Sequence, residues 1–433
     1  MTTVRSTTAV PGVRRVAQVS VVVTAVLLVA LVGWTFSVVA RDASWNGDYT
    51  EVGRLASWVV GSISEPQFYA VAPAGALLLV GGLIGHVASR MSWRWQGFVQ
   101  ACGTGLWPWA AGSALVSLVL GNLVWGWTLA SGSWQPLFVP LVSVAPAIVV
   151  LYGPGWRVGL SAAVLGAVLT PPASILVVEY VCTPLDLPPV IGATTGMWVA
   201  AIVAFWLCKR LPWMPPPGAW RTSPAPTSSP VPTSSPVPAS SPMPTSSLSP
   251  TSSPSLTSWA SRSSALRSRS ASLPGQSRLW VPRRALADFS EAQFFGNEWA
   301  SAALILGAVV VHLVSPAGLA YGSGLFVAVL VSQVLTAVVG VLVWRRKWQA
   351  HGFYPTFVPV VSVAPATVLV FGGTVESVVV GALAGALIGP PVAAAISARL
   401  PRGFHPFIGN VASMGLCTAV VVSSLRLIPG FGS

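Results

Sequence analysis

Two segments of this sequence place a serine between prolines at the same spacing. A proline within a helix has no N–H to donate, so the carbonyl four residues earlier loses its partner. This unpaired carbonyl and the serine hydroxyl are neighbouring polar groups. Inside a membrane, such groups are tolerated only where they face other parts of the protein or a water-filled cavity. We predict that both segments line a substrate pathway; the alternative is a packing kink whose serine bonds its own backbone. The segments are Pro140, Ser143 and Pro146, and Pro359, Ser362 and Pro365.

Two proline pairs follow these segments, Pro171-Pro172 and Pro390-Pro391. We expect each pair to break its helix, so that the loose ends either face the same pathway or form a structural hinge. Asn410 follows a repeated Ile-Gly pair at a predicted helix start. We include it among the residues of the substrate pathway.

Two histidines occupy matching positions, His86 and His312, near the ends of two predicted helices. They are candidates for a gating pair on opposite membrane faces, and the alternative is an interfacial position beside lipid headgroups. The four cysteines show neither the spacing of a metal site nor a disulfide framework. We therefore expect no metal and no cofactor.

These pairs belong to an internal duplication with five landmarks in the same order. The first is Ser-Glu-x-Gln-Phe, at residues 64–68 and again at 290–294. The histidines, the proline-serine segments, the proline pairs and an Ile-Gly…Met pattern follow in both copies. The sequence therefore predicts two related structural units.

Composition indicates a membrane protein. Hydrophobic residues make up 53% of the chain and charged residues 8%, against about 25% charged residues in soluble domains. Long apolar runs recur, and about 20 residues cross a bilayer as a helix. We predict an all-α polytopic membrane protein with about 11 transmembrane helices. They lie near 17–40, 68–88, 100–129, 137–152, 158–178, 190–208, 297–314, 321–344, 356–371, 377–398 and 406–425.

The distribution of Lys and Arg predicts the orientation of these helices. Basic residues follow alternate helices, which places the N-terminus and the central linker in the cytoplasm; only Arg426 disagrees. Each copy holds five helices, an odd number, so the second copy runs opposite to the first as an inverted-topology repeat. Arg157, assigned inside, matches Glu376, assigned outside. If the short fourth and ninth segments are re-entrant, the copies are parallel instead.

The chain divides into four regions. Residues 1–60 hold an N-terminal transmembrane helix, with a cleaved signal peptide as the alternative, and an external loop. Residues 61–211 form the first copy and 289–433 the second. Between them, 212–288 is rich in Pro, Ser and Thr and then in Arg, which predicts a disordered cytoplasmic linker whose basic end attracts anionic lipid. A phosphorylated regulatory segment is the alternative.

The acids occupy predicted loops, the linker flank and helix ends, which argues against cation binding at membrane depth. Phosphate-binding loops, zinc motifs and catalytic triads are absent from the sequence, so an enzyme is the less favoured class. We predict a plasma-membrane transporter or channel for a small neutral or anionic solute. A membrane enzyme, a lipid-handling protein and a non-catalytic subunit are the alternatives.

At the level of the fold alone, five-plus-five inverted repeats resemble the architecture of urea and ammonium channels, and no residue roles are carried over. The net charge of +13 fits membrane orientation, so we expect no nucleic-acid partner. The expected partners are the lipid bilayer and the solute, and self-association stays open.

Overall fold

A computed structural model describes residues 11–38, 45–98, 105–221 and 279–432, which form helices and turns without a β-strand. The helices in the first part are α1 (Pro11–Val38), α2 (Val52–Gly61), α3 (Ala72–Arg90), α4 (Trp107–Trp125), α5 (Val144–Tyr152), α6 (Trp156–Val177) and α7 (Pro189–Cys208). Those in the second part are α8 (Trp280–Ala287), α9 (Glu298–Val314), α10 (Phe326–Val343), α11 (Arg345–His351), α12 (Val363–Phe371), α13 (Val375–Ala398) and α14 (Phe407–Arg426).

Seven helices of the described ranges are long and apolar enough to cross a membrane. The all-helical class is thereby confirmed, together with the presence of several helices able to cross a membrane. The other four predicted positions hold shorter apolar helices, so the count of eleven spans stays a prediction. The seven are Ala72–Arg90, Trp107–Ala130, Trp156–Cys182, Pro189–Cys208, Phe326–Val343, Val375–Ala398 and Phe407–Arg426.

Apolar side chains cover the outside of the helices at the spacing of one turn. On α6, Leu160, Val164 and Val168 are exposed, and on α13 the matching residues are Val379, Leu383 and Leu387. A continuous row of exposed apolar side chains marks an interaction surface. On helices of membrane-spanning length, they fit lipid chains.

Helices α3 and α9, which the duplication matches with each other, cross in an antiparallel arrangement. Gly81 lies against Ala300 near the start of α9, and Gly307 lies against Ala74 near the start of α3. A Cβ atom on either glycine would approach the opposing Cα within 2.7 Å. Small residues permit such close approach of two helix backbones.

Helices α7 and α14, also matched by the duplication, are antiparallel as well. Phe205, near the end of α7, packs edge-on against Phe407 at the start of α14, with ring centroids 6.4 Å apart. Gly415, further along α14, packs against Thr194 in the first half of α7. Both pairs of matched helices therefore run in opposite directions.

Polar contacts join loops that the charge pattern assigns to the same membrane face. Arg426, the exception in that pattern, forms an ion pair with Asp186 at 3.0 Å, and Asp186 follows α6 on the predicted outer side. On the predicted inner side, Lys209 Nζ donates to the carbonyl of Arg402 at 3.2 Å. Arg426 therefore has an acidic partner on the predicted outer side, where the charge pattern alone would not place a basic residue.

Three short helices, α2, α8 and α11, were not predicted from the sequence. Helix α8 lies within residues 212–288, the predicted linker, of which 222–278 are outside the described residues. Arg284 of α8 is fully buried and paired with acids. Its side chain does not face lipid headgroups, contrary to its predicted place in the basic end of the linker.

Candidate functional site

The first proline-serine segment breaks at the serine. A 3₁₀ turn spans Val139–Val142, Ser143 has non-helical φ and ψ of −127° and −110°, and α5 begins at Val144. Pro146 lies in the first turn of α5, where an N–H has no helical partner in any case. The prediction of a helix kinked at this proline is therefore wrong, because the helix starts after the serine.

The second segment has the same form. Ser362 has φ and ψ of −148° and −88° between the Val358–Val361 turn and α12. Ser143 Oγ donates to the Val139 carbonyl at 2.5 Å, and Ser362 Oγ to the Val358 carbonyl at 2.7 Å. Both serines are fully buried. Their hydroxyls bond their own backbone, which is one part of the alternative interpretation, and the pathway role of these residues stays a prediction.

The proline pairs do not break their helices, so that expectation is wrong. Helix α6 continues through Pro171-Pro172 and α13 through Pro390-Pro391. Each first proline leaves the carbonyl four residues earlier without an amide donor. A tryptophan supplies the missing hydrogen bond: Trp125 Nε1 donates to Ala167 O at 3.1 Å, and Trp344 Nε1 to Ala386 O at 2.9 Å.

Prolines of both copies pack against glycines of neighbouring helices. The Pro140 ring lies 2.9 Å, and the Pro171 ring 3.6 Å, from the position of a Cβ on Gly121. In the second copy, Pro359 packs instead against two glycines of α13, Gly385 and Gly389. These sequence-predicted residues therefore come together as packing contacts between helices.

The remaining candidates are packed against neighbouring side chains. His86 stacks on Trp107 with ring centroids 5.4 Å apart, and His312 packs against Phe326 at 5.1 Å. Both histidines are half-buried. Asn410 is buried near the start of α14.

A polar centre joins the two copies at the repeated Ser-Glu-x-Gln-Phe motif. Gln67 Nε2 donates to Gln293 Oε1 at 3.1 Å, and Gln293 Nε2 donates to Gln67 Oε1 at 2.7 Å. Each amide also donates to a backbone carbonyl of the other copy, that of Phe289 or Ile63. These four hydrogen bonds therefore form two matched pairs, in which the two glutamines exchange roles.

The serine of each motif fixes the turn that presents the glutamine. Ser64 Oγ donates to the Val71 carbonyl at 2.9 Å, and Ser290 Oγ to that of Asn297 at 3.1 Å. The motif phenylalanines, Phe68 and Phe294, adopt left-handed φ values of 65° and 64°. Such values are uncommon for residues other than glycine, so the same local conformation is specified twice.

Gln333 of α10 extends this centre. Its Nε2 donates to the carbonyls of Gln67 at 3.2 Å and Val360 at 3.0 Å, and its Oε1 accepts from Tyr69 OH at 2.9 Å. Val360 belongs to the turn before Ser362, so the second proline-serine segment borders the polar centre.

Glu65, in the first motif, is buried beside the centre. Its exposed fraction is 3%, and its Oε1 accepts from Trp134 Nε1 at 2.8 Å and from Tyr321 OH at 3.4 Å. Both donors are neutral. The carboxyl group is thus held between two aromatic side chains from distant parts of the sequence.

Glu291, the matching residue of the second motif, has a charged partner. Arg284 Nη2 lies 2.7 Å from Glu291 and 2.6 Å from Asp288. The guanidinium also lies over the rings of Phe98 and Trp348, at 5.2 and 4.6 Å from their centroids. This ion triad is almost completely buried.

Three acids are therefore buried where the two copies meet, although the sequence placed them in loops or the linker flank. The repetition of the motif was visible in the sequence, but its partners Gln333, Trp134 and Tyr321 lie far from it along the chain. A buried polar centre of this kind can bind a polar solute or exchange a proton. No protein-family model matches the chain, and a search of curated proteins found no significant match.

Proposed function

We propose that this chain is an integral membrane transporter for a small neutral or anionic solute. The pathway runs between two inverted-topology repeats, 61–211 and 289–433, and passes the Gln67–Gln293 pair. The observation that carries the proposal is the exchanged hydrogen bonding of these two buried glutamines. Secondary transporters commonly bind their solute where inverted repeats meet.

The directions of the matched helices support inverted repeats. Helices α3 and α9 cross antiparallel, as do α7 and α14. Bonds exchanged by Gln67 and Gln293 imply a local twofold axis between them. Only an axis lying in the membrane plane reverses the direction of a transmembrane helix, so the axis is parallel to the bilayer.

The same axis sets the depth of the polar centre. In inverted repeats the axis lies near the bilayer midplane, so Gln67 and Gln293 lie there too. Polar and ionisable groups at that depth are costly and commonly mark a solute or ion pathway. The two nearby carboxyl groups, Glu65 and Glu291, lie on opposite sides of the axis.

The inverted arrangement predicts opposite accessibility of two matched residues. Arg157 and Glu376 are both exposed. In whole cells, a membrane-impermeant maleimide should label Glu376→Cys and leave Arg157→Cys unlabelled until the cells are permeabilised. Labelling of both cysteines from the same face would contradict the proposal.

The control for this experiment is a chain without Cys102, which lies outside the described residues. The other cysteines, Cys182, Cys208 and Cys417, are buried. A Cys102→Ser background should therefore give little labelling, and any remaining signal is subtracted from both variants.

Transport itself is tested with the purified chain in liposomes. We expect faster osmotic reswelling than in protein-free liposomes for at least one of urea, glycerol, formate and nitrate, measured by light scattering. The double variant Gln67→Leu/Gln293→Leu should lose this flux. This variant removes both partners of the glutamine pair but also takes a donor from the carbonyls of Phe289 and Ile63, which costs stability; folding of the variant is therefore checked before its flux is measured.

The matched control for this variant is Gln349→Leu, which changes an exposed glutamine of α11. It should retain the flux of the original chain. Absence of flux for all four solutes in the original chain, or unchanged flux in the folded double variant, would contradict the proposed pathway.

A further inference from the structure

We propose that Glu65 binds and releases a proton during transport. The carboxyl group takes up a proton from the outside when Trp134 and Tyr321 move away, keeps it while they cover it, and releases it when the pathway opens to the inside. This inference rests on the proposed function and adds a coupling ion to it. The geometry that carries it is a buried carboxyl group with neutral hydrogen-bond donors at the edge of the polar centre.

Burial determines the protonation of Glu65 in this conformation. The residue is 3% exposed, and its two donors, the Trp134 indole and the Tyr321 hydroxyl, carry no charge. A buried carboxylate without a cation is strongly disfavoured, and the group is neutralised by taking up a proton.

Comparison of the two copies shows what Glu65 lacks. Its counterpart Glu291 is paired with Arg284. At the matching position, seven residues before Glu65, lies Trp58, whose indole N–H donates to Asn122 Oδ1 at 3.0 Å. The negative charge of Glu291 is therefore compensated by a cation, whereas a negative charge on Glu65 would not be.

The charged groups of the surrounding elements have other partners. On α2, Arg54 is exposed and bonded to Glu51 at 3.0 Å. Beside Trp134, Glu179 accepts from Gln135 Nε2 at 2.6 Å. Within the described ranges, the salt bridges do not include Glu65, and the titratable group that touches it is the Tyr321 hydroxyl.

The cover above Glu65 is thin. Tyr321 is 43% exposed and packs edge-on against Trp134, with ring centroids 6.1 Å apart. Ala320 and Tyr321 adopt left-handed φ values of 49° and 58°. Non-glycine residues in this region store strain, which is often found at moving or functional sites. A movement of this segment exposes the carboxyl group to water.

The proton balance of the step is simple. With the cover open to the outside, the Glu65 carboxylate takes up H⁺ from external water and is closed off as the neutral acid, because the closed site contains no compensating cation among the described residues. The pathway then opens to the inside, as alternating access between two repeats requires, and the carboxyl group releases this H⁺ to internal water. A proton that crosses together with a monovalent anionic solute makes the net charge transported zero.

Infrared spectroscopy tests protonation without knowledge of the solute. The purified chain at neutral pH should show a protonated-carboxyl C=O band that disappears on alkaline titration, and Glu65→Gln should lack this component. In Trp134→Phe the titration should move to higher pH, because the lost indole N–H no longer stabilises the carboxylate. Glu376→Gln, which changes an exposed acid, is the matched control and should resemble the original chain.

Identical carboxyl bands in the original chain and in Glu65→Gln would overturn the inference. So would a titration that is unmoved in Trp134→Phe, or one that responds to Na⁺ at constant pH, since sodium would then be the bound ion. These results are independent of flux, so they can fail while the liposome experiment succeeds.

Coupling is measured in the same liposomes with an internal pH-sensitive dye. Solute entry through the original chain should change the internal pH, and Glu65→Gln should uncouple solute entry from that change. Solute flux without any pH change in the original chain would overturn the coupling role and leave the proposed transporter intact.

Discussion

Replacing Arg284 by methionine is expected to lower the free energy of unfolding by about 3–5 kcal/mol, because it leaves buried acids without their cation. Asp288 and Glu291 lie 2.6 and 2.7 Å from the guanidinium. Methionine preserves much of the apolar contact with the rings of Phe98 and Trp348. The loss is therefore electrostatic, and it is measured by denaturant titration in mixed micelles.

The neighbouring Arg283 provides the matched control. Its side chain is 47% exposed and pairs with Glu298 at 2.8 Å, and such partly exposed pairs contribute only about 0–1 kcal/mol. Arg283→Met should therefore change stability little. Adding Asp288→Asn and Glu291→Gln to Arg284→Met should recover part of the loss. Equal losses for the two single arginine variants would contradict the assignment of a buried ion triad.

The membrane class and the approximate positions of the long helices were predictable, because both follow from apolar length. Helix α13, for example, was expected near 377–398 and spans Val375–Ala398. Helix α8 was not predictable in this way, since its two arginines within eight residues resemble a basic linker end. That helix is stabilised by the burial of Arg284 against two acids and by the packing of Trp280 on Trp348, and these contacts depend on the tertiary fold.

Only part of the polar centre could be predicted from the sequence. Repetition identified Gln67 and Gln293, but the fact that they bond each other depends on how the two copies pack. Glu65 and Glu291 look identical within their motifs. Their difference comes from Arg284, which precedes the second motif, whereas Trp58 occupies the matching position before the first.

The proline pairs show why a local rule was insufficient. A proline removes one hydrogen-bond donor, which predicts a break when the freed carbonyl has no other partner. Here an indole from the neighbouring helix supplies the donor, Trp125 in the first copy and Trp344 in the second. Helix continuity at Pro171 and Pro390 is therefore a tertiary property.

Removing that donor should have the second-largest effect on stability. Trp125→Phe and Trp344→Phe keep an aromatic ring but leave the carbonyls of Ala167 and Ala386 unsatisfied. Each substitution should lower the free energy of unfolding by about 1–3 kcal/mol, the cost of a buried polar group without its partner. The same titration in mixed micelles measures this change.

The matched control for these variants is Trp127→Phe, which changes a tryptophan with an exposed fraction of 58% close to Trp125 in the chain. It loses a similar amount of ring area without freeing a helix carbonyl, so its effect should be smaller. A loss in Trp127→Phe as large as in Trp125→Phe would attribute the effect to ring size. If the control is nearly neutral, the indole N–H is what permits a proline pair within a continuous helix.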